Sequence, residues 1–321
     1  MPIVDMPLPE LETYQGLNPR PADFDAYWES AIAEQQSTDP EPEQRPADLA
    51  VTHVRCSHLF FTGVGGARIH AKLAQPISRT ATAPGPALLR FHGYSGDSGD
   101  WLTLLAYAGA GFTIAGMDCR GQGGLSEDSG ATLRHTHTGH IVRGLADGPD
   151  KLLYRSIFLD TVQLARVVAS LDGVDGDRMG ALGASQGGGL TLACAALTPS
   201  LKRAAPTYPF LCDYRRVWEM DLAQRAYLEL AKYLRMADPT HQHANETFER
   251  LGYIDVQHLA PRIEAEILMG VGLMDEVCPP STQFAAYNKI TAPKRMEIYP
   301  DFEHESLPGF DDTVLEFMLE L

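Results

Sequence analysis

The chain reads as an α/β protein built on a mostly parallel sheet with helices on both faces. Two observations predict this. Short, largely apolar runs recur at 87–91, 112–117, 179–182, 203–207 and 267–271, and continuous apolar strands are those buried on both faces. Helical segments separate them at 101–108, 152–171 and 186–197, the alternation that produces parallel neighbours joined by crossover helices. On such a sheet, ligand chemistry gathers at the carboxyl ends of the strands.

Taken in order, residues to about 45 form a polar, proline-bearing N-terminal extension with one amphipathic helix expected at 23–35. The stretches 51–62 and 67–74 alternate well enough for two antiparallel strands joined at 63–66. Residues 121–149 are irregular and rich in Gly, His and Thr. From about 210 to 262 the strand rhythm stops, and two helical patterns, 213–236 and 246–259, read as an insertion covering the site. A final helix is expected at 311–319. With no repeats or linker-like tract, the 321 residues fit a single domain, 1–321.

Composition excludes some classes. A formal net charge of −16, from 26 basic and 42 acidic side chains, is wrong for a nucleic-acid or anionic-membrane binder, which needs clustered Lys and Arg. Neither a basic-then-apolar leader nor a membrane-length apolar run is visible, so a cytoplasmic protein is expected. Five cysteines without a CxxC pair suit free reduced thiols.

The most informative stretch is Gly183-Ala184-Ser185-Gln186-Gly187. It lies between an apolar strand and a small-residue helix, the context of a nucleophile elbow, although a plain Gly/Ser turn would share the pattern. A serine hydroxyl is a weak nucleophile and needs a base, which in turn needs an orienting carboxylate. In α/β-hydrolases the chain order is nucleophile, acid, base. Asp275 follows the strand at 267–271, and His304 lies between the last strand and the last helix. Glu276 and Asp301 compete for the acid role, but Asp301 would share the histidine's own loop. Oxyanion donors are expected from the amide after the serine, Gln186, and from the loop after the 87–91 strand, with Tyr94 the best candidate.

With these motifs in place the chain resembles family 7 of the carbohydrate esterases, the acetyl xylan esterases and cephalosporin C deacetylases. Arg120-Gly121-Gln122, Gly183-Ala184-Ser185-Gln186-Gly187 and His304-Glu305 match its R-G-Q, G-x-S-Q-G and H-E signatures in order. The likeness covers nearly the whole chain. It implies an α/β-hydrolase fold and removal of acetyl groups from short acetylated sugars and related antibiotic esters. It also implies no metal or organic cofactor, and a hexamer with sites facing an internal cavity. It places the catalytic serine, aspartate and histidine on Ser185, Asp275 and His304, and the oxyanion amides on Tyr94 and Gln186. Where the family commonly has Gly-Trp, this chain has Gly139-His140, which puts acyl-chain and alcohol preference in doubt.

Several residues admit two readings. Arg120 could be an active-site cation, but a buried brace suits its multiple fixed donors better; Gln122 and Glu305 would likewise support loops. His135, His137 and His140, and the pair His241 and His243, have metal-like spacing without a convincing partner. Trp101, Tyr208 and Phe210 could line an acyl pocket or be core. The rival functions are a broader carboxylesterase, a serine peptidase, and a non-catalytic α/β-hydrolase acting as a binding protein.

Overall fold

The computed structural model describes residues 4–130, 132, 139–222 and 225–321. Its strands are β1 (Glu43–Pro46), β2 (Val54–Thr62), β3 (Arg68–Pro76), β4 (Gly85–Phe91), β5 (Thr113–Met117), β6 (Val174–Ala184), β7 (Arg203–Thr207), β8 (Glu266–Gly272) and β9 (Lys294–Tyr299). Among the described residues they form one sheet in the order β1-β2-β3-β5-β4-β6-β7-β8-β9. The run from β5 to β9 is parallel, and β1, β2 and β3 add an antiparallel edge. The sheet is mostly parallel, as the apolar runs predict.

Burial on both faces is visible within single strands. In β4, Ala87, Leu89 and Phe91 enter one core, while Leu88 enters the other, as the period of two requires. Helices Leu153–Ala169 and Gln186–Leu197 cover the first face. Helices Trp101–Gly109 and Phe310–Leu319 cover the second.

The N-terminal extension packs on the body. Its helix, Phe24–Ser37, stacks Trp28 on Phe158 with ring centroids 5.9 Å apart. Asp5 accepts from the Arg216 guanidinium at 2.8 Å and from the Ser281 amide at 2.7 Å. Within the extension, β1 was not expected. Four exposed residues carrying a proline have no apolar pattern, and the strand exists by pairing with β2. Helix Pro280–Tyr287 was also not anticipated.

The insertion is more broken than its helical pattern suggests. Its first part comprises helix Tyr214–Glu219, a turn of 3₁₀ helix at Arg225–Tyr227 and helix Leu228–Ala237. Its second part comprises Ala244–Leu251 and Val256–Leu259 with a 3₁₀ turn between them. Asp221 has a φ of 59°, left-handed backbone that no helix can run through, while Asp213, with φ 48°, only precedes the first helix. Among the described residues, no helix is long and apolar enough to cross a membrane.

Candidate active site

Ser185 stands at the turn from β6 into helix Gln186–Leu197, with φ 60° and ψ −120°. This strained conformation persists because its neighbours over-determine it. The Ser185 amide donates to the Thr207 carbonyl at 3.0 Å, and its carbonyl accepts from Phe210 at 2.9 Å and Gly189 at 3.1 Å. The flanking glycines are needed for space. A Cβ on Gly187 would lie 2.2 Å from the Phe91 carbonyl oxygen, and one on Gly183 would lie 2.7 Å from backbone atoms of Gly187 and Phe91. The β6–helix crossing is therefore seated directly on β4.

The elbow holds the hydroxyl toward the loop between β9 and the terminal helix. His304 Nε2 lies 3.0 Å from Ser185 Oγ, and His304 Nδ1 lies 2.8 Å from Asp275 Oδ2. Asp275 is fully buried, and its other oxygen accepts from the Val277 and Cys278 amides at 2.8 Å each. Both carboxylate oxygens are thus committed, which fixes the carboxylate plane and the imidazole it holds. Glu276 and Asp301 are exposed. Tyr208, with φ 31°, lays its ring 4.5 Å from the His304 ring.

The other predicted positions fall as follows. Gln186 opens the helix behind Ser185, and Tyr94 lies in the loop after β4, whose Phe91 pairs with Gly183. The Gln186 and Gln122 side chains form a reciprocal amide pair, with N–H···O distances of 2.8 and 3.0 Å. Gln122 Oε1 also accepts from the Ser95 amide at 2.9 Å. Arg120 is buried and forks Asp160 with two bonds of 2.6 Å, donating also to the Val64 carbonyl at 3.1 Å. Burial alone would lower its pKa, but the Asp160 carboxylate holds it above the usual range. Glu305 is exposed and accepts from the Glu303 amide at 3.2 Å.

Phe210 is buried between the Tyr94 and Tyr227 rings. Trp101 packs instead against His58 and under Lys72, at the antiparallel edge. His135 and His137 lie outside the described residues. His140 Nε2 meets Ser95 Oγ at 3.0 Å, and burial lowers its pKa to about 4. His241 packs edge-on against Trp218 and His243 faces Glu246.

Three residues of the site had no sequence cue. Tyr154 donates to Gln186 Oε1 at 2.6 Å from the first turn of an apolar helix pattern. Glu229 accepts from the Tyr94 hydroxyl. Cys278 lies with Asp275 and His304, potential ligand atoms of all three falling within 4.8 Å of one another. Burial pushes the Cys278 thiol up.

On this mostly parallel sheet Ser185, Asp275 and His304 follow one another in the chain order that α/β-hydrolases use for nucleophile, acid and base. Within that class, the chain belongs to the acetyl xylan esterase (AXE1) family, whose model matches residues 1–321. It is similar to the crystal structure of acetyl xylan esterase 1 from a Thermoanaerobacterium species, with 53% identity, a TM-score of 0.96, and 98% of this chain and 99% of that one covered. The acetyl xylan esterase of a Paenibacillus species has 34% identity and a TM-score of 0.93 over 98% and 99% of the two chains. An acetyl esterase of Xylanibacter ruminicola is 26% identical over 294 residues, 88% of this chain. The chain spans 63% of the length of that curated relative.

Proposed function

We propose that this protein is a serine esterase that removes acetyl groups from acetylated xylo-oligosaccharides and related small esters, cephalosporin C among them. The observation that carries the reading is the continuous chain from Ser185 Oγ through His304 to buried Asp275. His304 takes the Ser185 proton as the oxygen attacks the acetyl carbonyl. The Tyr94 and Gln186 amides stabilise the oxyanion. His304 then protonates the departing sugar oxygen, and water, deprotonated by the same imidazole, releases acetate and restores Ser185. Asp275 holds the histidine tautomer and stabilises its cation. Arg120, Gln122 and Glu305 support loops and touch no reacting atom. No metal or organic cofactor enters these steps.

The test is turnover of 4-nitrophenyl esters from acetate to octanoate, then of acetylated xylo-oligosaccharides and cephalosporin C. Ser185→Ala should lower kcat by about 10⁴–10⁶-fold without altering folding, and near-normal activity in that variant would sink the assignment. A steep preference for acetate supports the deacetylase. A maximum at longer chains favours a broader carboxylesterase, a reading that His140 supports because an imidazole stands where the family commonly has an indole. Failure of a serine-directed phosphonate to label Ser185 would point to a non-catalytic binding protein. The resemblance further supports a cytoplasmic homo-hexamer, to be tested by light scattering and cell fractionation.

A further inference from the structure

Glu229 is a nearly fully buried carboxyl, 4% exposed, that the mechanism above does not use. It sits on the second residue of insertion helix Leu228–Ala237, yet its oxygens point into the body of the protein. One oxygen accepts from the Tyr94 hydroxyl and, at 3.2 Å, from the His140 amide. The other accepts from the Val142 amide at 3.0 Å, and the Ile141 amide also bonds the carboxylate. The His140 amide additionally donates to the Tyr94 hydroxyl oxygen at 2.9 Å, closing a ring of three groups. Gly139 is shaped to this carboxylate: its φ is 135°, and a Cβ there would lie 2.1 Å from Glu229 Oε2.

Burying a carboxyl is costly unless donors converge on it. Here they come from two separate segments, the loop after β4 and the chain at 139–142. From this convergence we infer that Glu229 is a positioning residue for the esterase reaction: it clamps the Tyr94 side chain so that the Tyr94 amide stays aimed at the oxyanion. The inference rests on the esterase reading and on Tyr94 supplying an oxyanion amide. It gives the insertion a role in the chemistry beyond covering the site, because the helix that carries Glu229 holds the donor loop of a different strand. The same carboxylate sets the path of residues 139–142, and so places His140 against Ser95 on the other side of Tyr94.

A glutamine at 229 keeps the shape but offers one acceptor oxygen, and it turns an NH₂ toward groups that are themselves donors. Removing an oxyanion donor outright costs about 10²–10³ in kcat. Misaiming one should cost less, so Glu229→Gln should lower kcat for 4-nitrophenyl acetate by about tenfold to a hundredfold with KM unchanged. Turnover is expressed per serine titrated by a phosphonate, so a partly unfolded population changes the titre and not kcat. Tyr94→Phe keeps the main-chain amide and loses only the hydroxyl. It should lower kcat by about threefold to tenfold, and the double variant should fall within about threefold of Glu229→Gln, because both changes break one clamp. Wild-type kcat in Glu229→Gln, a loss confined to KM, or effects that multiply in the double variant would each overturn the inference. Should Glu229→Gln yield no titratable serine, Tyr94→Phe decides alone, and an unchanged kcat there overturns it. Ser185→Ala, run beside these, separates the two ideas. Activity surviving in it defeats the esterase reading itself, whereas a dead Ser185→Ala beside a fully active Glu229→Gln defeats only the clamp.

Discussion

Replacing Arg120 with Met should damage stability and spare chemistry. The guanidinium is 3% exposed and its partner carboxylate is fully buried. It joins the start of the loop after β5 to Asp160 on helix Leu153–Ala169 and to the β2–β3 turn through the Val64 carbonyl. Even the turn is cut to fit, since a Cβ on Gly63 would lie 2.2 Å from Asp160 Oδ1 and 2.7 Å from Arg120 Nη2. Removing one member of such a pair strands the other and costs about 3–5 kcal/mol. At roughly 2.1 cal per mol per kelvin per residue, the unfolding entropy of 321 residues turns this into a fall in Tm of about 4–7 °C. Denaturant titration and calorimetry would read it. Arg120→Met combined with Asp160→Leu should regain most of the loss, because no buried charge is then left alone. At a temperature where the variant is folded, kcat per titrated serine should stay within about threefold of the parent. Unchanged stability with a hundredfold loss of kcat would refute the reasoning and make Arg120 a cation of the reaction.

Two further outcomes follow from the same packing. Gly187→Ala puts a methyl 2.2 Å from a backbone carbonyl that β4 cannot move; soluble yield and phosphonate labelling of Ser185 should fall together, and an active, normally stable variant would contradict the geometry. Asp118 supports acid stability. Burial alone would raise its pKa, but hydrogen bonds from His70 and from the Leu125 and Ser98 amides bring it from 3.8 to about 2. Its contribution, roughly 2 kcal/mol, is therefore present above about pH 4 and lost as pH falls toward 2. Asp118→Asn should lower stability at pH 7 and flatten the dependence between pH 4 and 2, as followed by urea titration at each pH.

The sheet was legible because buried parallel strands leave short, largely apolar runs separated by longer helical segments. Each predicted run, from 87–91 to 267–271, lies in a strand of the sheet. What escaped was structure held by partners and not by pattern. β1 is four exposed residues paired along β2, and the insertion breaks at left-handed Asp221, a residue whose side chain tolerates that backbone without announcing it. The site divides in the same way. That Ser185, Asp275 and His304 would come together could be anticipated, because each follows a strand in a fixed chain order. Tyr154, Glu229 and Cys278 could not, since each sits inside a helical or loop pattern that its neighbours explain fully.

Gln122 shows why that boundary falls where it does. Its place in Arg120-Gly121-Gln122 marked it as a loop support, but not what it supports. In the structure it pairs both ways with the Gln186 side chain and accepts from the Ser95 amide. One side chain thereby ties the loop after β5 to the elbow and to the loop after β4. The proposed oxyanion site, with amides from two loops, would need such cross-links, because each amide is carried by a backbone that would otherwise relax independently. Gln122 draws the two loops together from the β5 side, and Glu229 holds Tyr94 from the insertion side. Candidates for the reacting groups can be proposed from local sequence; the side chains that tie separate loops together are specified only once the strands are side by side.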